Sequence, residues 1–220
     1  MNLINKIESL LFEEFKSVPF HNLFMLNNIE NKDLSLGGTC SDKVLHFREI
    51  LKNNGIETKL HSSFINNIEC HRMLSVSIEN QNYFIDIGSG WPSLKLFPEF
   101  KPVEYSVYGM SFKTEIFESK LIIYHKIMGD YKQMIEVPFF TKSESKILSD
   151  IENRYKDNSI YPFHNSLRFS IIKDDSFYFI KENVLRTYND VKIIDRILSK
   201  SEINNLLRNE FGIKDIKCPC

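Results

Sequence analysis

The sequence predicts an α+β protein built from an N-terminal helical bundle, a central antiparallel β-barrel-like domain and a C-terminal α/β lid. Three observations predict it. Apolar residues recur at helical spacing through the first third, the middle shifts to short runs rich in β-branched and aromatic residues, and the last third mixes both patterns. The expected divisions are 1–56, 57–140 and 141–220.

Taken in order, residues 2–16 place Ile4, Ile7, Leu10, Leu11, Phe12 and Phe15 at three-to-four spacing and end before Pro19, the mark of one amphipathic helix. A second helical pattern from Ser41 puts Val44, Phe47, Ile50 and Leu51 on one face and stops at Asn53-Asn54-Gly55, where glycine can take the left-handed C-terminal conformation. The runs 73–78, 83–87, 112–117 and 120–127 read as strands of an antiparallel sheet. A third helix is expected over 143–155, then strands near 167–172, 176–180 and 184–188, with Asp174-Asp175 turning between the first two. The last helix starts at Ser199 or Ser201, where Ser199 and Glu202 have capping-box spacing, runs through Ile203, Leu206 and Leu207, and stops at Gly212.

Composition narrows the function classes. A hydrophobic content of 42% over 220 residues supports a sizeable core. With 28 basic and 29 acidic residues the formal charge is -1, too little to gather a polyanion, so no nucleic-acid partner is expected. No run approaches the roughly 18–20 apolar residues of a membrane span, and Glu8, Glu13 and Glu14 sit where a signal peptide would be uncharged. A soluble cytoplasmic protein with no membrane partner is the expectation. Four cysteines at irregular spacing make no disulfide framework, which leaves thiols available for chemistry.

The segment Leu36-Gly37-Gly38-Thr39-Cys40-Ser41-Asp42 places a thiol behind two glycines and at the head of an expected helix. Helix N-terminal amides stabilise a thiolate and can donate to a developing oxyanion. A cysteine nucleophile needs a base, and the base needs an orienting acid. His71 lies ahead of the strand at 73–78 and Asp86 at the end of the next one, so a hairpin would set them on neighbouring strands. From these residues alone two readings stand, a catalytic Cys40-His71-Asp86 triad or a buried thiol in a tight loop.

In order along the chain, Val18-Pro19-Phe20-His21-Asn22-Leu23, Gly37-Gly38-Thr39-Cys40, His71 and Asp86-Ile87-Gly88-Ser89-Gly90 resemble the motifs of the arylamine N-acetyltransferases. The likeness continues through 153–167 and to Glu210-Phe211-Gly212-Ile213. The resemblance implies a transglutaminase-like or papain-like cysteine core that takes an acetyl group from acetyl-coenzyme A onto Cys40. The acetyl group would then pass to an arylamine, hydrazine or arylhydroxylamine with ping-pong kinetics and no bound cofactor. It also implies pocket roles for Phe20, Gly38, Ser89 and Trp91, and a brace at the nucleophile turn for Asn22, beside the plainer reading of Phe20 and Asn22 as a core anchor and a turn residue. Relatives of this fold that draw on an acyl carrier protein make that an alternative donor.

Departures from the family pattern are Leu36 where it has Arg, Asp42 where Glu is usual, Val44 where Asn is usual and Ser89 where an aromatic is common. Family members also usually carry a further N-terminal segment. A remodelled pocket with altered donor or acceptor recognition is the expectation. A transglutaminase-like thiol hydrolase shares the Cys, His, Asp order, and a non-catalytic binding protein on the same fold is the remaining alternative.

Other features carry less. Cys70 beside His71 lacks the second ligand pair of a zinc site, so no metal is expected. Gly88-Ser89-Gly90 lacks the lysine and spacing of a P-loop. His21, His46, His61, His125 and His164 show no partners in the sequence, Cys218-Pro219-Cys220 reads as a tail without an assigned role, and among the 18 phenylalanines Phe163 joins Phe20 as an aromatic that could face a flat substrate.

Overall fold

A computed structural model describes residues 2–154, 163–213 and 216–219. Helix α1 (Leu3–Ser17) starts at Asn2, whose Oδ1 accepts from the Asn5 N–H at 2.8 Å, a cap worth about 1 kcal/mol. Its buried face carries Ile7, Leu11 and Phe15, the stripe expected from the sequence. Strand β1 (Phe20–His21) and the one-turn α2 (Leu23–Leu26) follow, then a 3-10 turn at Leu34–Leu36. Helix α3 (Cys40–Asn53) begins one residue earlier than expected and buries Val44, Phe47 and Leu51; it ends into Gly55, at φ +75°.

The central stretch forms β2 (Lys59–Ile65), β3 (Ile68–Ile78), β4 (Gln81–Ile85), β5 (Phe97–Pro98), β6 (Glu104–Val107), β7 (Met110–Ile116), β8 (Lys120–Lys126) and β9 (Lys132–Pro138). They make a curled eight-stranded sheet in the order β5-β4-β3-β2-β9-β8-β7-β6, with its two halves joined through Phe64 opposite Glu136. The expected strands at 73–78, 83–87, 112–117 and 120–127 are all present. Strands β2 and β9, which close the middle of the sheet, were not anticipated.

Helix α4 (Glu144–Asn153) is followed by β10 (Arg168–Lys173), β11 (Ser176–Lys181), β12 (Val184–Tyr188) and β13 (Ile193–Ile197), then α5 (Lys200–Asn205), which runs on as a π-helical turn at Leu206–Glu210. The end of the expected 143–155 helix, at Tyr155, lies outside the described residues. Asp174 sits at φ +52° in the β10–β11 turn, and Ser199 and Glu202 cap α5 reciprocally. The second sheet has the order β1-β10-β11-β12-β13, with Phe20 opposite Ser170 and His21 opposite Phe169. The first and last thirds of the chain therefore share one sheet. They share a core as well, because Leu11 of α1, Phe47 of α3, Ile85 of β4, Ile147 of α4 and Phe177 of β11 belong to one buried cluster. No helix among the described residues is long and apolar enough to cross a membrane.

A buried charge cluster fixes α3 against α1. Glu14 and Lys43 are both enclosed; the Lys43 Nζ donates to Glu14 Oε1 at 3.2 Å and to the Val18 carbonyl, and His46 Nδ1 lies 3.0 Å from the same carboxylate oxygen. Burial pulls the Lys43 ammonium below the usual lysine range while Glu14 opposes that pull. Removing one member of such a pair strands the other charge, so Glu14→Gln should cost about 3–5 kcal/mol in urea unfolding. Adding Lys43→Met should recover most of the loss, and a Glu14→Gln protein as stable as the parent would show that the pair contributes nothing.

Candidate active site

Three pieces of backbone converge on the site. The first is the turn into α3, where Thr39 is the N-cap and closes a capping box with Asp42, so Cys40 is the first residue of the helix. The turn needs glycine at position 38: its φ is +144°, and a Cβ there would fall 2.5 Å from the Asp42 carboxylate. The Gly38 carbonyl accepts from His21 N–H at 2.9 Å and its own N–H donates to the Pro19 carbonyl at 3.3 Å, which pins the turn to β1.

The second piece is β3, which carries His71. The sequence placed this residue ahead of a strand at 73–78; the strand starts earlier, at Ile68, so His71 is held inside the ladder opposite Ser63 of β2. The third is the turn that follows β4. Pairing of Leu74 with Ile85 brings Asp86 alongside His71, and His71 Nε2–H donates to Asp86 Oδ1 at 2.9 Å. That carboxylate is fully enclosed and fully used: Oδ1 also accepts from the N–H groups of Gly88 at 3.1 Å and Ser89 at 3.0 Å, while Oδ2 accepts from Ser93 Oγ at 3.0 Å. With Nε2 committed, the other ring nitrogen is left for the Cys40 thiol, whose Sγ also lies 3.8 Å from the Cys70 carbonyl.

Electrostatics favour the ion pair. Burial works against charge on Cys40, but the hydrogen bond and charge of His71, with the Arg72 cation nearby, outweigh it and draw the thiol below its ordinary value. Burial likewise opposes a charged His71, yet Asp86 and the thiolate raise it to about 9. Asp86 is lowered, its burial more than offset by His71 and the serine hydroxyls. Cys70 behaves oppositely, since burial and the nearby Cys40 push its thiol up to about 11. Cys40 is thus the thiol poised to ionise.

The expected pocket residues divide. Phe20 is buried with its ring packed on Gly90 and edge-on to Phe163 at 6.1 Å, next to the nucleophile turn through the Phe20–Gly38 bridge. Ser89 gives its N–H to Asp86 and accepts from Trp91 N–H at 3.3 Å. Asn22 does not brace the nucleophile turn: its side-chain N–H groups go to the carbonyls of Phe163 at 2.7 Å and Ser166 at 2.8 Å, and its oxygen accepts from Arg168 N–H at 2.8 Å. Trp91 is half-buried and stacks on Phe179 at 4.8 Å with His125, Phe177 and Tyr188 around it. That ring joins the two sheets.

Two residues escaped sequence reasoning. A Cβ on Gly88 would sit 2.5 Å from the Cys40 Cβ, so this position must be glycine for α3 to approach His71 and Asp86; the sequence offered only a turn signal. Arg72 is buried within β3, donates to Ser62 Oγ at 2.7 Å and pairs with Asp150 at 3.5 Å; a lone cation inside an apolar run was its one sign. Among the described residues no cluster of three or more His, Cys, Asp or Glu is placed to hold a metal.

A cysteine at a helix head beside a buried His-Asp pair is an arrangement in which an imidazole can ionise a thiol. The fold around it is that of the arylamine N-acetyltransferases. The Mycobacterium marinum enzyme solved in complex with CoA superposes with a TM-score of 0.82 at 14% identity, over 96% of this chain and 86% of that one. The Salmonella typhimurium enzyme gives 0.82 at 15% identity, over 95% and 84%, and a Bacillus cereus enzyme described as having a Cys-His-Glu triad gives 0.77 at 18% identity, over 97% and 92%. No family model matches the sequence, and no curated protein matches it.

Alkylation of Cys40 by iodoacetamide should be half-maximal well below the pH of about 8.5 typical of a free thiol. Asp86→Asn should move that midpoint upward and Gly88→Ala should slow the reaction by displacing Cys40; a wild-type midpoint at or above that of a free thiol contradicts the ion pair. The sign for stability follows from the same groups. A raised His71 contributes stability that is complete below about pH 6.5 and is lost as pH rises through about 9, and the lowered Asp86 contributes stability that is lost in acid. Thermal midpoints should therefore fall on both sides of neutrality, and less on the alkaline side in His71→Asn.

Proposed function

We propose that this chain is a cysteine-dependent N-acyltransferase that moves an acetyl group from acetyl-coenzyme A, through acyl-Cys40, to the amine of a small molecule such as an arylamine. The observation that carries this reading is the saturated His71-Asp86 pair beside a thiol at the head of α3, set in an arylamine N-acetyltransferase fold. Among the donors, a coenzyme A thioester is favoured over an acyl carrier protein because the M. marinum protein of the same fold was solved with CoA.

In this mechanism the Cys40 thiolate attacks the thioester carbonyl and backbone amides at the turn into α3 stabilise the tetrahedral oxyanion. The carbon–sulfur bond to coenzyme A breaks, and His71 gives its Nδ1 proton to the leaving sulfur. The amine nitrogen then attacks acyl-Cys40 and His71 takes a proton from it. Breaking the Cys40 thioester releases the amide and restores the thiolate-imidazolium pair. Asp86 keeps the ring in the tautomer that points Nδ1 at sulfur and remains ionised throughout. We read 1–56 as the segment that presents Cys40, 57–140 as the one that presents His71 and Asp86, and 141–220 as a cover for the site, since Arg154 and Phe163 reach the nucleophile turn and Phe20 from it. Phe20 and Ser89 are the residues best placed to touch an acceptor.

Steady-state rates with acetyl-coenzyme A and an arylamine should give the parallel double-reciprocal lines of a ping-pong reaction. Cys40→Ala should abolish amide formation, and Asp86→Asn should lower kcat/KM by about 10²–10⁴-fold. Acetate released at the same rate with or without amine would identify a thiol hydrolase and reject acyl transfer.

A further inference from the structure

Two residues beyond Cys40, in the first turn of α3, lies a second carboxylate that the reaction does not use. Asp42 is 1% exposed. Its Oδ2 accepts from Thr39 N–H at 2.9 Å and Thr39 Oγ1 at 3.0 Å, and its Oδ1 accepts from Asn31 Nδ2 at 3.1 Å. The balancing cation comes from 112 residues away: Arg154 Nη2 donates to Asp42 Oδ1 at 2.7 Å. Arg154 caps the end of α4, is 7% exposed, and also donates through Nη1 to the Ile151 carbonyl at 2.6 Å. The residue preceding the glycine pair, Leu36, is a hydrocarbon and supplies no charge to this turn.

An aspartate in a first helical turn is ordinarily a benign cap. Here it shares that turn with a thiol that must ionise. The positive end of a helix amounts to about half a unit charge, which a bare carboxylate in the first turn would cancel, and two buried anions in one turn disfavour each other. A guanidinium on the carboxylate's outer oxygen removes that conflict and leaves the cap in place.

We propose that Arg154 is a positioning residue that acts through Asp42, neutralising the carboxylate at the head of α3 so that the helix end remains free to hold the Cys40 thiolate. The inference rests on Cys40 being the nucleophile. Other charged or titratable groups face the thiol as well: His71 and Arg72 from β3 with Cys70 beside them, and Asp86 through His71. His21 of β1 lies near both Asp42 and Lys43 of α3, and Asp150 of α4 is paired to Arg72. None of them contacts Asp42 as Arg154 does in the described hydrogen bonds.

The experiment is the pH profile of Cys40 alkylation by iodoacetamide in folded variants. Arg154→Met should raise the midpoint by about 0.5–1 pH unit, the size expected for one partly screened buried charge. Arg154→Lys should restore part of the shift, and Asp42→Asn added to Arg154→Met should restore most of it, because asparagine keeps the cap without the charge. An unchanged midpoint in Arg154→Met, or a double variant no better than the single one, overturns the proposal. Should Arg154→Met fail to fold, Asp42→Asn alone decides: a lowered midpoint supports the role, and an unchanged one rejects it. A wild-type midpoint no lower than a free thiol's would instead reject the nucleophile reading itself.

Discussion

The whole site hangs on one buried carboxylate. Asp86 has no access to water, so its charge is tolerable only if the protein supplies the donors that water would have given. It receives four: the His71 ring, the N–H groups of Gly88 and Ser89, and the Ser93 hydroxyl. Meeting that demand fixes the turn after β4, and the turn places Gly88 in contact with Cys40. The same hydrogen bond that settles Asp86 orients His71 toward the thiol. One electrostatic requirement thereby sets the positions of His71, Asp86 and Cys40 together.

Around this centre the fold supplies rigidity by two kinds of long-range bond. The β3–β4 hairpin carries His71 within β3 and Asp86 just past the end of β4, so ladder register sets their separation. The nucleophile helix is held from outside by buried ion pairs, Lys43 with Glu14 toward α1 and Asp42 with Arg154 toward α4. Such pairs add little net stability but penalise every arrangement that separates them. Geometry at Cys40 is the property they protect.

Local chemistry wrote most of the fold into the sequence, and the exceptions have physical causes. The stripe of Ile7, Leu11 and Phe15, the Ser199–Glu202 box and the Asp174-Asp175 turn were readable because each depends on neighbours within four residues. Strand β2 was not, because its buried positions His61, Ser62 and Ser63 are polar, which erases the alternation that marks a half-buried strand. Strand β13 lies at a sheet edge with Ile194 and Ile197 exposed, and its pattern has no core face to contrast with a solvent face. Among site residues, Cys40, His71 and Asp86 were legible from their motifs, and the structure brings them together. The partners of Asn22 and Trp91, the carbonyls of Phe163 and Ser166 and the Phe179 ring, lie far along the chain and left no local signal. Arg154 was invisible for the same reason.

The sequence shares only 14–18% identity with the enzymes whose fold it adopts. The proposed reaction requires Cys40 to carry an acyl group. The direct measurement is mass spectrometry of the Cys40 peptide after rapid mixing with acetyl-coenzyme A and acid quench, with and without a chase of arylamine. One acetyl group is expected on Cys40, lost during the chase as acetylated amine. An unmodified Cys40, or an acetyl group that the amine cannot discharge, would contradict the proposed reaction.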